Sequence, residues 1–105
     1  MMQLNVSKRT MMRLIREHKD QIGVPVPKPN CKEVRFEFVG GDYKVSWQSE
    51  GAFYTFTLTA RLHLLAHIYS VPGMCYTQKS IPLDRDWLIG LGILVEGEEG
   101  FECQG

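Results

Sequence analysis

Three groups of side chains in this sequence have the types and spacing to do chemistry. The first is basic. Lys8, Arg9, Arg13, Arg16 and Lys19, with the Thr10 hydroxyl among them, crowd into "KRTMMRLIREHK". On a helix, residues three and four apart are neighbours, so Arg9, Arg13 and Arg16 form one cationic stripe. Such a stripe suits phosphates or carboxylates. The second is "HLLAH". On a helix, His63 and His67 stand one turn apart and can converge on one metal ion, with Cys75 as a possible third ligand. Leu64 and Leu65 occupy the places where a zinc protease carries its glutamate, and no acidic ligand lies close by. Two histidines on the wet face of a helix, with no metal, is the preferred reading. The third is an acidic cluster, Glu96, Glu98, Glu99 and Glu102, suited to a basic partner.

Groups for catalysis are lacking. No glycine-flanked nucleophile, Walker A loop or GxGxxG fingerprint is present, and "VGGD" is a hairpin turn rather than a phosphate cradle. The expected protein is not an enzyme and needs no cofactor.

The elements that must position these groups follow from periodicity. Ser7 can cap a helix over 8–21 in which Met11, Leu14, Ile15, His18 and Ile22 share one side. Gly23 can stop it in the left-handed conformation. "GVPVPKPN", residues 23–30, is too proline-rich for helix and reads as a stiff extended spacer. Alternation with period two then predicts three antiparallel strands, over 33–39, 43–48 and 52–59. Their turns fall at Gly40-Gly41-Asp42 and at "SEG". Residues 60–70, "ARLHLLAHIYS", place Leu62, Leu64, Leu65, Ile68 and Tyr69 on one side of a helix, with Thr59 as its cap. That helix is expected to cover the apolar face of the meander. Residues 74–82 fit no single element. Asp84 should cap a short helix carrying Trp87, Leu88 and Leu91, and 93–104 should close the chain as a hairpin.

The expected fold class is therefore α+β: an N-terminal amphipathic helix, a three-stranded antiparallel meander, a covering helix, a short helix and a C-terminal hairpin. Residues 1–22 form a basic helical arm, 23–30 a proline-rich spacer and 31–105 an α+β domain. At 105 residues the chain suits one folding unit. No apolar run is long enough to span a bilayer and no signal-peptide layout is present, so a cytoplasmic protein with no membrane partner is expected. The three cysteines, Cys31, Cys75 and Cys103, are scattered and suggest neither a disulfide framework nor a zinc ribbon.

The net charge is zero, yet residues 1–35 carry eight basic side chains against three acidic ones, and residues 36–105 carry four against nine. This polarity points to a charged partner at one end. "LNVSKRTMMRLIRE", residues 4–17, resembles the recognition half of the helix-turn-helix of excisionase-type and MerR-like DNA-binding proteins. The resemblance implies that Ser7, Lys8, Arg9, Thr10 and Arg13 approach DNA while Leu14 and Ile15 pack inward. The C-terminal part, through "LGIL" and an acidic-glycine turn, is faintly similar to winged-helix domains. Its acidity there opposes phosphate, which DNA affinity depends on.

Two functions are expected from these observations. The first is a small interaction module that binds and modulates another protein, of the kind that phages and mobile elements use as inhibitors or adaptors. The alternative is a small DNA-binding regulator using the basic helix. Exposed strand edges also admit a homodimer.

Overall fold

The computed structural model describes residues 2–71 and 73–96. Its centre is a five-stranded antiparallel sheet whose strands follow one another in chain order. They are β2 (Arg35–Val39), β3 (Asp42–Ser49), β4 (Ala52–Leu58), β5 (His63–Ser70) and β6 (Cys75–Pro82). Before them come β1 (Met2–Leu4), α1 (Lys8–Glu17), α2 (Lys19–Ile22) and a 3-10 turn at Cys31–Glu33; after them come α3 (Arg85–Gly90) and β7 (Leu94–Glu96). The described helices are too short to cross a membrane.

The first three strands of the meander lie where alternation puts them. Gly40 and Gly41 both have positive φ, +59° and +91°, which a two-residue hairpin of matching twist requires. The second hairpin turns on Glu50 and Gly51, at +48° and +80°, so a glutamate occupies a left-handed position there.

The fourth strand overturns the expected covering helix. Residues 63–70 pair with β4 along their whole length, Phe56 opposite Ala66 and Leu58 opposite Leu64. "LHLLAHIYS" satisfies both periods. Leu62, Leu65, Ile68 and Tyr69 fit a helix face, but Leu64, Ala66 and Ile68 also alternate. The alternating set is the one that is buried, at 0, 0 and 7% exposure. As a strand the stretch pairs its backbone with β4 while its alternating set fills the core. Thr59 does cap something, but it is a turn: its Oγ1 accepts from the His63 amide at 3.2 Å, while the Leu62 amide donates to the Thr59 carbonyl at 2.9 Å. The ambiguous stretch 74–82 becomes β6 for the same reason, extending the ladder by one strand. The molecule is α+β, but as a five-stranded sheet with short helices.

The helices and the small β1–β7 ladder cover one face of this sheet. That face presents Val45, Trp47, Tyr54, Phe56, Leu58, Leu64, Ala66, Ile68 and Ile81, all buried. Trp47 stacks between Tyr54 and Phe56 at 5.2 and 5.5 Å. Met11, Leu14, Ile15 and Ile22 join the same core at 0–3% exposure. The apolar stripe of the N-terminal helix thus goes into this chain's own interior, so the helical segment 8–22 shares one core with the sheet.

The single helix expected over 8–21 is divided into α1 and α2, while its caps lie where the residues place them. The Ser7 side chain accepts from the Thr10 amide at 3.2 Å. At His18 the helix breaks. The His18 Nδ1–H donates to the Leu14 carbonyl at 2.8 Å, and its ring meets Trp87 edge-on at 5.3 Å. That contact ties α3 to the junction of α1 and α2. Gly23, at φ +80°, ends α2 and donates its amide to the Lys19 carbonyl. Asp84 caps α3 by accepting from the Asp86 amide at 3.1 Å. Leu94–Glu96 pairs antiparallel with Met2–Leu4. The second limb of the expected closing hairpin lies outside the described residues.

Candidate functional site

The cationic stripe of α1 does not stand alone. The proline segment runs beside it, and between them lies a groove of about 470 Å³. Its floor is apolar: Met12 and Ile15 from α1, Val26, Pro27 and Pro29 from the proline segment, and Val34. Its rim is basic: Lys8, Arg9, Arg16 and Lys19 on the helical side, Lys28 on the other. Among the described residues that line it, none is acidic.

Helical geometry explains the arrangement. At 100° per residue, Lys8, Met12, Ile15 and Lys19 lie within one narrow sector, with Arg9 and Arg16 beside it. Ile15 sits at the border, buried at 3%, where the groove floor meets the core. Met12 lies one row further out and is half-buried. Across the groove, "VPVP" sets Val24 and Val26 two residues apart, as extended backbone does. Both are half-buried against the core, while Pro25 and Pro27 are exposed. The valines thus hold the proline segment down against the protein and turn it into a wall.

Of the basic residues singled out from sequence, Lys8, Arg9, Arg16 and Lys19 line this groove. Arg13 is exposed but lies further round the helix, outside the lining. The Thr10 hydroxyl is engaged locally, 3.0 Å from Ser7 Oγ. Lys28 and the apolar floor were not singled out. The signal was present in the alternation of "VPVPKP", which reads as a spacer until something is found underneath it.

The other two groups are not assembled. His63 and His67 share one side of strand β5, so four residues of extended backbone put them about 13 Å apart, too far to grip one ion. Cys75 pairs with Ser70, at the far end of that ladder and on its other face. The His67 ring is instead hydrogen-bonded to the Tyr76 hydroxyl at 2.5 Å. Among the described residues, no three His, Cys, Asp or Glu side chains gather as a metal site would need. In the acidic group, Glu96 ends β7 opposite Met2, whereas Glu98, Glu99 and Glu102 lie outside the described residues.

Two other surfaces stand out. The sheet face turned away from the helices carries a cross-strand row of Phe53, Tyr69 and Tyr76, exposed at 42, 38 and 57%. Phe53 and Tyr69 stack at 6.3 Å. A more open hollow of about 620 Å³ lies near Leu4, Phe38, Tyr43 and Leu94; Arg85 is its one charged residue among the described lining. Neither surface joins apolar area to several like charges as the groove does. No protein family, curated protein or solved structure matches the chain.

Proposed function

We propose that this protein is a small non-enzymatic interaction module that binds another protein through the groove between α1 and residues 24–30, and so modulates it as an inhibitor or adaptor. The observation that carries this reading is the joining of an apolar floor to a basic rim. A merely solvated basic helix needs no such floor. Apolar area left open at a rimmed concavity is what a docking side chain fills. The cytoplasmic setting expected from the sequence goes with this reading.

Exposure of Arg9, Arg13 and Arg16 supports a second reading, binding of DNA by the same helix. The protein reading is preferred because phosphate contacts leave Met12, Val26 and Pro27 in water.

A photo-cross-linking residue at position 12, used in the cells that make the protein, tests both. The control position is Gln78, on the opposite sheet face. The expected result is a protein adduct formed from position 12 and lost when Arg16 and Lys19 are changed to Glu. An adduct with a second copy of this chain would make homodimerisation the role. Adducts equal at both positions would overturn the groove as the docking site. For the DNA reading, a gel shift with random duplex should show affinity falling by about tenfold or more between 50 and 200 mM salt, roughly as expected for several phosphate contacts.

A further inference from the structure

We infer that the partner enters this groove as an acidic segment of another protein, carrying at least one bulky apolar side chain among several carboxylates. The inference rests on the docking reading above and names the chemistry that would be recognised.

Charge complementarity sets the class. The rim offers cations from both walls, Arg16 and Lys19 from the helix and Lys28 from the proline segment, and no acid interrupts the described lining. From Lys8 to Arg16 the α1 side alone extends about 12 Å at 1.5 Å per residue. A single carboxylate, such as the head of a fatty acid, meets one or two of these cations. A peptide with carboxylates spaced along it meets the whole rim. The floor favours a ligand that carries apolar as well as charged groups. Met12, Val26 and Pro27 present apolar surface that an apolar group on the ligand removes from water. A duplex backbone has charge but nothing to place there, because its bases are stacked inside.

The test is fluorescence anisotropy with the full chain and synthetic labelled peptides. One peptide sets leucines among glutamates. A second replaces the leucines with serines, and a third replaces the glutamates with glutamines. The first should bind, and both others should bind at least about tenfold more weakly. Changing Arg16 and Lys19 to Glu should cost the first peptide at least about tenfold, since two attractions become two repulsions. Lys28→Glu, on the non-helical wall, should weaken it in the same direction, which guards against damage to the helix. Equal binding of the glutamine peptide would overturn the acidic assignment. Equal binding of the serine peptide would overturn the apolar anchor. Tighter binding of laurate or of random duplex DNA would overturn the peptide class. If the full chain with Glu98, Glu99 and Glu102 changed to Gln binds the first peptide much more tightly, the chain's own acidic end is the occupant, and the assignment to a separate partner fails. Should no peptide bind while position 12 still cross-links a protein, this inference fails and the docking reading stands.

Discussion

Leu14→Ala measures whether α1 is a structural part of the fold or an appendage. Leu14 is fully buried, at 0% exposure, among Met11, Ile15 and Ile22 and the sheet. Cutting a fully buried leucine back to alanine loses transfer free energy and leaves a cavity, together about 2–5 kcal/mol. A domain of 105 residues has about 5–15 kcal/mol in total. One methyl-rich side chain in the helix therefore controls a large share of the stability of the sheet. The assay is urea unfolding followed by tryptophan fluorescence. With about 1–3 kcal/mol per molar for the urea dependence, a loss near 3 kcal/mol moves the midpoint down by roughly 1–3 M. Trp47 lies in the sheet core and Trp87 on α3 against His18, so single-tryptophan variants report the two parts separately. Both should unfold in one transition, and Leu14→Ala should move both equally. Arg13→Ala, on the exposed side of the same helix, should stay within about 0.5 kcal/mol. A Leu14→Ala cost below about 0.5 kcal/mol would refute the claim that the helix fills the core. So would a Trp47 transition that stays put while the Trp87 transition moves.

Two further outcomes follow from the sheet. Ala66→Lys separates strand from helix: a helix over 60–70 would put residue 66 on its wet side and tolerate lysine. In the sheet it faces Phe56 at 0% exposure, so a large loss of stability in urea melts is expected, on the order of several kcal/mol for an unpaired charge in a packed site. Burial first, and the Glu50 carboxylate second, raise the Tyr54 hydroxyl above its ordinary value near 10. The fold therefore holds Tyr54 neutral. Its contribution is complete below pH 10 and is lost as pH rises through 10 toward the folded value, so stability should decline on the alkaline side. Tyr54→Phe should remove part of that decline in melts at several pH values. Glu50→Asn should bring the Tyr54 titration back toward 10, read by ultraviolet absorbance. It should also stabilise the hairpin by up to about 1 kcal/mol, because asparagine accepts the left-handed position more readily.

Much of the architecture was decided locally and is legible in the residues. Ser7 and Asp84 cap their helices because a short oxygen-bearing side chain beside a helix start has free amides within reach. Gly40-Gly41 and Gly51 turn the first two hairpins because their backbone must take positive φ. The inward side of α1 follows from the spacing of Met11, Leu14 and Ile15 alone. Local signals failed where one stretch satisfied two periods at once. Residues 63–70 carry a helical and an alternating pattern together. Pairing with β4 and burial of the alternating set, both features of the assembled sheet, distinguish them. That choice also moved His63 and His67 from one helical turn apart to about 13 Å apart along a strand. The groove was hidden for a related reason: its two sides, α1 with Met12 and the proline segment with Val26, come from segments with different backbone periods. Sequence determines which side chains each segment can present. Which of those faces meet, and so what chemistry they share, was settled by the tertiary packing, because burial and backbone pairing are satisfied for the whole chain together.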